Sequence, residues 1–219
     1  MNPDETSKIK ETINKGVQIL STIPVAYQLN SKVQTALTAT DNDPIKSITV
    51  YRVPLQTYVD VGLAGLSSGA WDAAVKKHGY DDIFHLYMIV TLASGVQYIV
   101  EKNEIINVTI ARPDQISITD PNYRMEVPFD SSKRRLTIRQ MLNNCLIIEG
   151  KDLFYTYDFK TNNCQVFVRD CLKGSGLLTP DLEKFIIQPI AEIAKEIDAK
   201  KLRLPSALPN IAGAVTSRL

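Results

Sequence analysis

The segment from His85 to Lys102 leaves the chain few ways to fold. His85-Leu86-Tyr87-Met88-Ile89-Val90-Thr91-Leu92 is a nearly continuous apolar run, the pattern of a strand covered on both faces. Ala93-Ser94-Gly95 then has the length and the terminal glycine of a type I turn closed by a glycine bulge. Val96 to Lys102 returns antiparallel. That loop sets Leu92 opposite Val96 and, counting outward, Tyr87 opposite Glu101. Side chains alternate along a strand, so His85, Tyr87 and Glu101 share one face. Glu101 becomes a diagonal neighbour of His85, within reach of a long carboxylate. A turn one residue different would send it to the other face.

A second stretch has equal local definition. In Thr161-Asn162-Asn163-Cys164-Gln165-Val166-Phe167-Val168-Arg169-Asp170-Cys171, the asparagines are helix-capping types whose short side chains accept orphan first-turn N–H groups. Val166, Phe167 and Cys171 repeat at helical spacing, and Lys173-Gly174-Ser175-Gly176 supplies the stop. Cys164 therefore stands at the positive end of a helix dipole, where a thiol ionises most readily and the thiolate is the nucleophile.

The remaining chain reads as mixed α and β structure. Ser47 to Val53 alternates and is β-branched, a strand closed by Pro54. Val61 to His78 reads as loop and then helix, with His78 at the exposed helix end. Ile105 to Ile110 is another strand, and Asp120-Pro121-Asn122 a turn. Ile138 to Ile148 is apolar enough for a helix ending near Cys145, which reads as structural. Phe154 to Asp158 is expected as a short strand leading into the capped cysteine. Ahead of this core, Ile9, Ile13, Val17 and Leu20 mark an amphipathic helix, and Asn30 to Asp43 is loop or weak helix. After it, Thr179-Pro180-Asp181 opens a helix whose apolar stripe runs from Leu182 to Ile197, with a kink expected at Pro189. An extended tail follows from Leu204. The expected division is a leader over 1–44, a core domain over 45–177 and a C-terminal helix and tail over 178–219.

Composition excludes several classes of function. The 219 residues carry 25 basic and 24 acidic side chains, so there is no electrostatic case for nucleic acid or an anionic surface. No apolar run approaches the ~20 residues of a membrane span, and the N-terminus lacks a signal-peptide pattern. Three cysteines, Cys145, Cys164 and Cys171, cannot complete a disulfide framework, which points to a reducing, intracellular compartment. With two histidines and no paired ligand spacing, neither a metal nor another cofactor is expected.

A strand histidine, an acceptor on the returning strand and a later Asn-Cys at a helix start are the parts of a thiol active site. Cys164 would attack an acyl carbon, His85 would move the proton, and Glu101 would orient the imidazole. Asn163, Gln165 and Gln97 are the candidates for binding substrate or its oxyanion, with Gln97 also the reserve orienting group. The backbone N–H of Cys164 adds a donor at the helix start.

The order of these parts resembles the permuted papain fold, in particular the lecithin:retinol acyltransferase-like branch, in which the histidine strand precedes the cysteine helix. The cysteine of that family lies in an Asn-Cys-Glu-His-Phe-Val type motif; Asn163-Cys164-Gln165-Val166-Phe167-Val168 is similar at Asn, Cys, Phe and Val. The second strand of the family hairpin carries a polar triad member, often histidine, after a Tyr-apolar-apolar step. Tyr98-Ile99-Val100-Glu101 matches that step with glutamate in the histidine's place. The resemblance covers about residues 50–176. It implies an α+β papain-like domain, an antiparallel sheet on the cysteine helix, and amidase, peptidase or acyltransferase chemistry on an acyl, amide or peptide substrate. Relatives occur in bacteria, eukaryotes and large DNA viruses, and some are silent. A non-catalytic module of the same fold, such as a minor virion component, is the alternative. A protein partner would then dock through the Leu182 to Ile197 stripe. Lipid handling at a membrane surface is a third reading.

Overall fold

The apolar run becomes β2 (Phe84–Leu92), buried along almost its whole length at the centre of a five-stranded antiparallel sheet. A computed structural model describes residues 29–54, 73 and 75–199, and for 194 and 196–199 the backbone alone. The expected helix over residues 6–21, the tail from Leu204 and most of the Val61 to His78 segment lie outside the described residues. Within that segment residues 75–77 are helical, and His78 is half-buried in the turn that follows.

Sheet order is β4-β3-β2-β1-β5, with β1 over Ile45–Pro54, β3 over Gln97–Lys102, β4 over Ile106–Ile110 and β5 over Arg124–Glu126. Strands β2 and β3 pair as the turn dictates, Thr91 opposite Gln97 and Met88 opposite Val100. Gly95 adopts φ 89° in the loop, the left-handed conformation a glycine bulge requires. The alternation separates two cores. Leu86, Met88 and Val90 enter the main one with Val100, while Tyr87, Ile89 and Ile99 join Tyr51 on the opposite face. There Tyr51 and Tyr87 stack at 5.4 Å.

Helices on one face of the sheet build the main core. α1 (Ser31–Thr40) settles the loop-or-helix question for that segment: Asn30 caps Val33 N–H at 3.0 Å, and Val33 and Leu37 are buried in the core. A short α2 (Pro113–Ile116) lies beyond β4, and Ile116 covers the tyrosine face. α3 (Ile138–Glu149) starts at a capping box in which Thr137 and Gln140 satisfy each other's N–H groups. It packs on α5 (Cys164–Gly174), which also covers β2 and β3. Between them α4 (Lys151–Tyr155) replaces the strand expected from Phe154 to Asp158. The aromatic side chains favoured a strand, but Phe154 is fully buried in the helical core, and such packing overrides β-propensity.

The C-terminal stripe is divided. α6 (Pro180–Ile186) is capped by Thr179, and α7 (Ile190–Ala199) begins after a break at 187–189. Leu182, Phe185 and Ile186 are buried in the main core, and Ile190 and Ile193 in a smaller one with Val75 and Ile83. The expected partner surface is corrected accordingly: through Ile193 the stripe is covered by its own chain. The Arg52 guanidinium lies 4.7 Å from the Phe84 ring centre and 4.4 Å from that of Phe185, joining α6 to the sheet. Among the described residues no helix is long and apolar enough to cross a membrane.

The two glycines that end α5 do different work. Gly176 takes the left-handed conformation, φ 64°. Gly174 lies so close to α3 that an added Cβ would sit 2.5 Å from the Asn144 carbonyl oxygen. Backbone cannot yield as a side-chain tip can. Gly174→Ala should therefore cost about 1–3 kcal/mol in urea unfolding; an unchanged midpoint would show that α3 and α5 separate freely.

Candidate active site: a cysteine, a histidine and a glutamate at one pocket

Cys164 is the first residue of α5. Asn163 caps the helix: its Oδ1 accepts Gln165 N–H at 3.0 Å and Val166 N–H at 3.2 Å, and its Nδ2 donates to the Phe159 carbonyl at 2.8 Å. The Asn163 carbonyl accepts Phe167 N–H. These bonds leave the Cys164 N–H as a first-turn donor outside the cap, beside its own sulfur and at the positive end of the dipole.

His85 is the second residue of β2, and Glu101 the fifth of β3. The register brings them together on one face, with His85 Nε2 2.8 Å from Glu101 Oε2. Asn103 Nδ2 donates to the other carboxylate oxygen at 3.3 Å. Cys164 also acts on the ring, through a hydrogen bond and its charge. Cys164 and His85 line one cavity of about 40 Å³.

Burial alone would lower the pKa of His85. Charge and hydrogen bonding from Cys164, then from Glu101, outweigh it and push the imidazole up to about 10. An imidazolium between a sulfur and a carboxylate is the expected species at neutral pH. Because this value lies above the ordinary 6.5, the stabilisation from His85 protonation is complete below pH 6.5. It is lost as the pH rises through about 10.

The other candidates have different places. Gln165 is committed: its Nε2 donates to the Phe84 carbonyl at 3.2 Å and to Gln188 Oε1 at 2.9 Å, and its Oε1 accepts Gln188 N–H at 2.8 Å. It is a buried cross-link and offers no spare donor to an oxyanion. Asn163 lines the cavity, but its amide is spent on the cap and on Phe159. Gln97 is not brought to the pocket. It lies four residues along β3 from Glu101, with its Nε2 on Thr91 Oγ1 at 3.1 Å, roughly 13 Å away by strand rise.

Two residues beside the pocket or the loop that leads to it escaped the sequence reading. Tyr157 lines the cavity, and burial, together with the charges of Cys164 and Asp158, pushes its phenol up, so it stays a protonated donor. No spacing rule marks it, since it arrives through an irregular loop. Lys102 did carry a signal: by alternation it falls on the apolar face with Val100. Its ammonium is 1% exposed and donates to Glu149 Oε2 at 3.3 Å, to the Leu153 carbonyl at 2.8 Å and to Asn162 Oδ1 at 3.2 Å. Asn162 donates in turn to the Leu153 and Thr156 carbonyls, so Lys102 and Asn162 together hold the loop that delivers Cys164. Cys145 and Cys171 are fully buried, which pushes both thiols up and keeps them protonated.

No family model, curated protein or solved structure matches this chain.

The electrostatics give a direct expectation for the imidazole. An NMR titration of the His85 ring should have its midpoint near 10, fall furthest in Cys164→Ala and fall less in Glu101→Gln. A wild-type midpoint at or below 6.5 would overturn the ion-pair description. Removing the buried cation should be costly in a different way. Lys102→Met leaves Glu149 buried without its cation, and the expected loss is about 3–5 kcal/mol in chemical denaturation.

Proposed function

We propose that this chain carries out thiol-dependent acyl chemistry, hydrolysing an amide or ester or transferring its acyl group, with Cys164 as nucleophile, His85 as acid–base and Glu101 as orienting group. The observation that carries the reading is the 2.8 Å contact between His85 Nε2 and Glu101 Oε2, made where His85 meets the capped, helix-initial Cys164. In the first step the Cys164 thiolate forms a C–S bond to the acyl carbon as the carbonyl electrons move to oxygen. The Cys164 N–H donates to that oxyanion. The imidazolium of His85 gives its proton to the departing amine or alcohol, which leaves a thioester and neutral histidine. Water or a second nucleophile then loses a proton to His85 and attacks the thioester, returning the thiolate. Hydrolysis and transfer differ only in that second nucleophile.

The same features support a permuted papain-like arrangement. The histidine strand, the glutamate strand and the cysteine helix follow one another in that order, and the helix covers an antiparallel sheet.

Alkylation by iodoacetamide, followed at each cysteine by mass spectrometry across pH, tests the proposal. Cys164 should label at pH 6 about tenfold or more faster than Cys145 and Cys171, and His85→Ala should slow it by a similar factor. Cys164→Ala should abolish turnover of a p-nitrophenyl acyl ester while the unfolding transition stays cooperative. A Cys164 that labels no faster than an ordinary thiol of pKa ~8.5 would remove the basis of the proposal.

A further inference from the structure

Strand β2 runs past the end of its neighbour at the point where the histidine stands. Extending the Met88–Val100 register by four residues puts Phe84 opposite residue 104, beyond the last residue of β3. The Phe84 N–H and carbonyl would then be buried without a ladder partner, at a cost of about 1–3 kcal/mol for each orphaned group. Two side-chain amides take the strand's place. Gln188 Oε1 accepts Phe84 N–H at 2.9 Å, and Gln165 Nε2 donates to the Phe84 carbonyl at 3.2 Å. Gln165 Nε2 also donates to Gln188 Oε1, the Gln188 backbone N–H donates to Gln165 Oε1, and Gln188 Nε2 donates to the Asp82 carbonyl at 2.7 Å. Gln188 is 5% exposed and occupies the break between α6 and α7.

Phe84 precedes His85, and Gln165 follows Cys164. We infer that Gln188 is a positioning residue: paired with Gln165, it holds the histidine end of β2 against the cysteine end of α5, which makes the C-terminal arm part of the site. Two residues further on, Ile190 lines the same cavity. The groups facing His85 are Glu101 from β3, Cys164 from α5, Tyr87 from β2 and Tyr157 from the loop before α5. Of these, Cys164 is the one whose approach depends on the amide pair. The consequence for turnover rests on the thiol reading above; the juxtaposition does not.

Gln188→Met keeps the side-chain volume and removes all three side-chain hydrogen bonds, so it separates positioning from packing. In full-length protein, the His85 ring midpoint should fall by about one pH unit or more, and Cys164 alkylation at pH 6 by about fivefold. Gln165→Met should do the same, and the double variant should be no worse than either alone, as expected of residues acting as one unit. A folded Gln188→Met protein with both quantities at wild-type values would overturn the inference, leaving Gln188 as an anchor for the arm. Should Gln188→Met not fold, Gln188→Asn withdraws the amide by one methylene and is judged on the same two measurements. Ordinary alkylation of wild-type Cys164 would sink the thiol reading alone, because the His85 midpoint still reports on Gln188.

Discussion

The register of one hairpin governs much of what lies around it. Gly95 in its left-handed conformation fixes a three-residue loop, and the loop decides which side of β3 meets which side of β2. Only in that register do His85 and Glu101 face each other. A slip of one residue would bury the glutamate in the main core and turn Lys102 toward the tyrosines, placing two charges in surroundings without partners. Specificity here comes from the cost of the alternatives as much as from the contact itself.

The last two residues of β3 then serve the two halves of the site from opposite faces. Glu101 holds the imidazole. Lys102 reaches into the main core and, through Leu153 and Asn162, holds the loop that ends at Cys164. Lys102 and Glu149 are both 1% exposed in their side chains. A pair so deep is weak evidence for stability, because desolvating two ions offsets most of their attraction. Its clearer effect is geometric: an ammonium with three acceptors at set distances leaves the preceding loop little freedom.

Local signals were legible in the sequence, and long-range ones were not. The hairpin register, the Asn163 cap and the Thr179-Pro180 helix start each depend on residues within a few positions of one another, and the structure has all three. Phe154 to Asp158 failed as a strand because its aromatic content answers to the core beneath it and not to the backbone. Gln165 and Gln97 looked equivalent as amide donors. Their difference depends on what reaches each from elsewhere: the Phe84 carbonyl and Gln188 for one, Thr91 for the other. Nothing near Gln188 marks it, since its partners at Asp82 and Phe84 lie more than a hundred residues earlier.

That separation bears on the order in which the molecule assembles. Hairpins and single helices form early because closing short loops costs little entropy, whereas contacts between distant segments wait for the chain between them. The bonds that join the histidine strand, or the residues just before it, to the cysteine helix and to Gln188 span 81, 104 and 106 residues. On a ribosome these segments emerge in sequence, with Gln188 last of the three. A chain that has completed its sheet and its cysteine helix still holds the two apart from their common tie. The pocket is therefore among the last features to acquire its final shape.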